Sequence, residues 1–150
     1  MAKFRYRMQN ILTIKEKLET QAKNEYAAAL MRVAEEEELL EKLKERAVFL
    51  DEEGRRLVQA ESLKIRDIED NKLSVELNKE AIKDQIAAID RARAVAEQKR
   101  EAMVELMQER KTHDILKERA FQEFLQEEKA AESKQIDQLT SYTYGQRQKE

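Results

Sequence analysis

His113 is the only histidine in the 150-residue chain, so any imidazole chemistry, whether proton transfer or metal ligation, has to run through it. Glu109 lies four residues before it and Asp114 directly after it, a spacing that sets Glu109 and the imidazole on one face of a helix. That is one ligand pair, whereas functional zinc sites generally take three or four ligands from His, Cys and carboxylates. An ordinary seam or solvent position is the better reading of His113. The absence of cysteine removes thiolate ligands and disulfides, and suits a reducing compartment. Gly54 and Gly145, the only glycines, stand far apart, so no glycine-rich loop of backbone amides cradles a phosphate. The run Glu35 to Glu38 reads as a solvated face, with docking of a basic partner as the lesser alternative. Carboxylates on an open helix lack the pocket that raises one pKa and makes an acid. The chain is therefore read as no enzyme, with no catalytic residue, no metal and no cofactor.

What positions these residues is helix almost throughout. There is no proline, and 41% of the residues are charged. Proline in a helix interior costs about 3 kcal/mol and glycine about 1 kcal/mol relative to alanine, and this chain has almost nothing with which to end a helix. Leu40, Leu43, Ala47, Leu50, Gly54 and Leu57 alternate steps of three and four, the heptad spacing of a coiled-coil seam. Upstream, Phe4, Met8, Ile11, Ile14, Leu18, Ala22, Tyr26, Leu30 and Val33 follow a looser spacing that implies locally altered winding. A second run passes through Ile68, Val75, Ile82, Ile86, Ile89, Ala96, Met103 and Met107. It changes register near His113 and continues as Leu116, Ala120, Phe124 and Ala131. Arg93, Arg100 and Asp114 fall where apolar seam residues are expected, which predicts a thin middle with arginine stems laid along it.

The expected architecture is an all-α, elongated antiparallel two-helix coiled-coil hairpin forming a single domain over residues 1–150. Helix 1 is expected at about residues 4–56 and helix 2 at about 72–141, with a frayed tail at 142–150. Between the helices, at about 54–71, an irregular tip is expected, where Gly54 relaxes the backbone and Ser62 caps a short helix from Leu63 to Glu69. The rival, a parallel homodimer, wants a more sustained heptad than the apolar residues provide.

Charge narrows the partners. With 29 basic and 32 acidic residues the chain is near balance and has no general attraction for nucleic acid. Residues 3–17 nevertheless hold Lys3, Arg5, Arg7, Lys15 and Lys17 against Glu16 alone. Phe4 and Tyr6 are interleaved there, and Tyr142 and Tyr144 at the other terminus are expected to gather at the same end of a closed hairpin. Such an end suits an acidic protein surface or, more weakly, anionic lipid. Met1 to Leu12 lacks the apolar core of a signal peptide, and no stretch approaches the roughly 18 apolar residues of a membrane span. The expected location is cytoplasmic, with any membrane contact peripheral.

The opening run from Lys3-Phe4-Arg5-Tyr6-Arg7-Met8 through Gln9-Asn10-Ile11-Leu12-Thr13-Ile14-Lys15-Glu16 resembles the start of the flagellar type III export protein FliJ family. Glu118-Arg119-Ala120-Phe121-Gln122-Glu123-Phe124, followed by Glu127-Glu128 and Ile136-Asp137-Gln138-Leu139, is similar to that family's C-terminal helix. The resemblance implies a coiled-coil stalk that binds the hexameric export ATPase FliI, promotes its assembly and activity, and links it to the export gate protein FlhA and to export chaperones. It implies a location at the cytoplasmic face of the cell membrane and a part in motility and chemotaxis. On this resemblance Phe4, Arg5, Arg7, Leu12, Arg119, Phe121 and Phe124 would meet the ATPase, and Leu73, Val75, Leu77 and Ile82 the gate. Asn71, Ser74 and Asn78 depart from the larger or more apolar residues usual at that tip. A generic tethering coiled coil, or the equivalent stalk of a virulence type III secretion system, is the alternative.

Overall fold

A computed structural model describes residues 2–149 as two helices packed against each other in an all-α hairpin, α1 (Gln9–Gln59) and α2 (Ile65–Lys149). Close contacts within the chain gather into two units. One joins the N-terminal residues through Glu19 to α2 from Glu105 onward, and the other spans Thr20–Val104.

Each helix carries an unbroken heptad. On α1, alternate steps of three and four from Leu12 pass through Lys15, Glu19, Ala22, Tyr26, Ala29, Val33, Glu36 and Leu40 to Leu57, and every residue so reached is buried or half-buried. On α2 the same stepping runs from Ile68 through Asn71, Val75, Asn78, Ile82, Gln85, Ile89, Ala92, Ala96 and Lys99, then through His113 to Phe124. The altered winding expected upstream in α1 and the register change expected at His113 are thus both absent from the described helices. His113 is itself a seam residue. Apolar spacing misleads here because Lys15, Glu19, Glu36, Asn78, Gln85 and Lys99 occupy seam positions, while Ile11, Ile14 and Leu30 lie outside, largely exposed.

Polar groups on the seam need partners, because an unpaired buried one keeps its full desolvation penalty. The buried Glu19 carboxylate accepts from the Arg110 guanidinium, which also donates to Asp114 at 2.7 Å. These two hydrogen bonds, the one to Glu19 first, hold the Arg110 guanidinium above its ordinary pKa. Glu36 pairs with Arg32 at 2.6 Å and receives the Gln85 amide, which also donates to the Glu36 carbonyl at 2.7 Å. No buried side-chain nitrogen or oxygen among the described residues lacks a partner. Arg93 and Arg100, expected to lie along the seam, are exposed. Arg93 reaches Glu37 at 2.8 Å and Arg100 reaches Glu97 at 2.7 Å.

The expected tip also differs. Gly54 does not interrupt α1, and its backbone has no positive φ. The turn is confined to residues 60–64, so helix 1 ends later and helix 2 begins earlier than the spacing predicts. No separate helix starts at Ser62. The Lys64 carbonyl accepts the Ile68 amide at 3.2 Å, and Asp67 in the first turn of α2 and Arg56 in the last turn of α1 complement the helix dipoles. The tail expected to fray from 142 is helical through Lys149. Its last residues are Gln146, Arg147, Gln148 and Lys149, types that lose little freedom in a helix, although residues 129–149 are all exposed.

Candidate functional site

Residues 2–6 are not helical, and a turn at 7–8 leads into α1. The Tyr6 carbonyl accepts the Gln9 amide at 3.1 Å and the Met8 carbonyl accepts the Leu12 amide at 3.0 Å. Helix 1 therefore starts at Gln9 and not near Phe4, because the preceding segment is held by α2 side chains. The Phe4 ring meets Phe121 edge-on, centroids 5.2 Å apart, and Phe124 at 5.6 Å. Such pairs add roughly 0.5 to 1.5 kcal/mol beyond area burial. Two residues on, the Tyr6 hydroxyl lies 3.2 Å from His113 Nδ1, and one turn into the helix Lys15 Nζ donates to Glu109 at 2.7 Å.

Alternation does the rest. With Phe4 and Tyr6 turned to α2, Lys3, Arg5 and Arg7 are left exposed. They border an open groove of about 800 Å³ floored by Phe4, Leu116, Ala120 and Phe124, with Glu123 and Glu127 on its margin. Three cations beside an apolar floor make a surface suited to an acidic protein partner.

The residues assigned to the ATPase thus separate by placement. Phe4, Phe121 and Phe124 form one aromatic cluster, half-buried, while Arg5, Arg7 and Arg119 are exposed. Leu12 is 1% exposed and belongs to the core. Of those assigned to the gate, Leu73 and Leu77 stand on the outer face of α2, 60% and 62% exposed. Val75 and Ile82 are seam residues, half-buried. Tyr142 and Tyr144 do not join Phe4. The helix carries them some 18 residues past Phe124, about 27 Å at 1.5 Å per residue, and both remain exposed. The Tyr6 and His113 contact was not legible beforehand, since the apolar spacing placed His113 at a register break.

His113 has no ligand set around it, for among the described residues no three His, Asp or Glu side chains gather as a metal site would need. Nor is any described helix long and apolar enough to cross a membrane.

Removing the Phe4 ring should release the leading segment. Phe4→Ala is expected to speed tryptic cleavage at Arg5 and Arg7 by about tenfold, matching a loss of roughly 1.4 kcal/mol in closing the segment onto α2. Timed digestion followed by intact mass measures it, with unchanged far-ultraviolet circular dichroism showing that the helices persist. Equal cleavage rates in the two chains would mean that the ring does not hold the segment.

The fold defines a class, an all-α helical hairpin with heptad-bearing helices. The family model described as "Flagellar FliJ protein" matches residues 4–149, and the chain belongs to the FliJ family. It is accordingly a flagellar export-associated protein, of a family that is a non-enzymatic component of that export. No curated protein and no solved structure matches the chain.

Proposed function

We propose that this chain is the coiled-coil stalk of flagellar type III export, docking on the hexameric export ATPase FliI, promoting its assembly and turnover, and linking it to the gate protein FlhA and to export chaperones. The observation that carries this reading is the N-terminal segment, where Phe4 meets Phe121 and Phe124 while Arg5 and Arg7 stay exposed beside the groove. Anchored backbone with exposed cations is a pre-organised docking edge, since the segment's ordering cost is met before the partner arrives. Arg119 adds to it from α2, whereas Leu12 supports the site from the core without touching the partner. For the gate, the exposed Leu73 and Leu77 are the contact residues, with Val75 and Ile82 acting behind them through the seam.

Coupling would follow from asymmetry: a hairpin seated in a ring contacts one subunit differently from its neighbours and so biases their states. The protein then acts in the cytoplasm, peripheral to the membrane that bears the gate, and its loss impairs motility and with it chemotaxis. The test is ATP hydrolysis and ring assembly by the cognate export ATPase with and without the chain. Faster turnover together with more hexamer is expected. Unchanged turnover and assembly, with folded protein and active enzyme, overturns the reading in favour of a tethering coiled coil.

A further inference from the structure

Met8, Ile11, Ile14 and Leu18 follow one another by three or four residues into the first turns of α1, the spacing of a seam. Leu12, Lys15 and Glu19 take the seam instead, and the apolar row is left on its flank, with Ile11 45%, Ile14 57% and Leu18 40% exposed. The opposite flank of the same turns carries Thr13, Glu16 and Thr20. A two-stranded coil needs only a narrow seam and keeps charge on both flanks, whereas an apolar flank beside the seam is the wider stripe of a helix packed in a larger bundle.

The row runs into the groove beside the leading segment. Met8 lines that groove together with Leu116, which precedes the seam residue Lys117 as Ile11 precedes Leu12, and Ala120 and Phe124 continue the floor along α2. The rise from Leu18 to Met8 and then from Leu116 to Phe124 makes one apolar track of about 27 Å, the length of a helix of about 18 residues.

The rim of this track is cationic. Lys3, Arg5 and Arg7 stand at one end, Lys17 and Arg119 lie one turn from Ile14 and Leu116, and all of them are exposed. Against them stand Glu123 and Glu127, while Glu109 is paired with Lys15. A second copy of the chain would bring the same cations against themselves in a two-fold contact, so the track suits a different, acidic partner.

We infer that the track seats one amphipathic helix of the export ATPase, lying as a third helix against α1 and α2 with its apolar stripe on the track and acidic side chains toward the cations. Side chains spaced by three and four residues form the ridges and grooves that receive a helix, whereas an extended strand alternates its side chains and gains its affinity from a sheet edge that the hairpin lacks. The inference rests on the ATPase reading above and extends the contact along α1 as far as Leu18.

Ile11→Gln, Ile14→Gln and Leu18→Gln together are expected to weaken binding of the export ATPase at least about tenfold, with helicity and melting kept because glutamine suits an exposed helix position. Leu30→Gln with Met31→Gln, exposed apolar residues off the track, should leave binding unchanged. Photo-reactive benzoylphenylalanine placed in turn at Leu18, Ile14, Ile11 and Leu116 should cross-link one segment of the ATPase, at positions that advance in one direction as the probe moves along the track. Should the triple variant unfold, these cross-links decide. No binding of the parent chain overturns the functional reading and this inference with it. A parent that binds overturns the inference alone if the folded triple variant binds as well, if the Leu30 and Met31 pair weakens binding equally, or if the cross-links scatter over several segments. Light scattering in which the parent is a dimer and the triple variant a monomer would give the track to a second copy and also overturn it.

Discussion

Leu12→Ala is expected to cost about 3 kcal/mol, the middle of the range for a buried leucine. The midpoint of thermal unfolding should fall by roughly 6 to 12 °C if unfolding is cooperative. Leu12 is the largest fully buried side chain among the described residues, and it opens the α1 heptad that continues through Lys15 and Glu19. Ile14 makes the informative contrast, because it is 57% exposed although apolar spacing places it on the seam. Ile14→Ala should stay within about 0.5 kcal/mol of the parent. Circular dichroism melts of the two variants side by side measure this. Equal, small shifts would mean that Leu12 is no core residue, and if export-ATPase binding failed in such a stable Leu12→Ala chain, Leu12 would instead be a direct contact.

The second large effect concerns binding. Reversing the exposed cations together, Lys3→Glu, Arg5→Glu and Arg7→Glu, is expected to weaken binding to the export ATPase by more than about tenfold and to slow association most at low salt. These side chains border the groove floored by Phe4 and Phe124 without entering the core, so the melting temperature should hardly move. Titration of ATPase turnover against the parent and the reversed chain, at low and at raised ionic strength, checks both parts. Full stimulation by the reversed chain would remove the leading segment from the interface and move attention to the exposed C-terminal turns of α2.

Within α1, the clean run from Leu40 to Leu57 was legible because each step of three or four lands on an apolar or small residue. The same heptad continues to Leu12, yet there it lands on Glu36, Glu19 and Lys15, which a hydrophobicity pattern counts as surface. Their acceptance depends on partners far along the chain. Arg110 lies 91 residues from Glu19 and Gln85 lies 49 from Glu36, and no local spacing signals such pairing. Ile14 and Leu18 then attracted an apolar reading that their positions do not support. Gly54 is instructive in the same way. Its propensity argues for a break, but helix on both sides and the amide of Asn71 in the vacated space make it a site of close approach.

The candidate site divides likewise. Cations interleaved with Phe4 and Tyr6 were visible as composition, and the Phe121 and Phe124 pair as a spacing on α2. That Phe4 would sit between those two rings, and that Tyr6 would reach His113, required the antiparallel alignment itself. Leu12 illustrates the opposite case, since its type and neighbourhood suit a contact residue while its burial assigns it to the core.

By itself the sequence determined that this protein is helical almost from end to end, that its helices carry heptads and reverse once near the middle, and that its leading segment is basic and aromatic. Those are local properties, set by backbone propensity, by the absence of proline and by side-chain type, and they need no knowledge of what packs against what. Tertiary structure alone decided which polar residues enter the seam, where the reversal falls and which cations stay exposed. Each of those outcomes depends on a partner group distant in sequence, whose hydrogen bond or excluded volume makes one alignment of the helices cost less than the others.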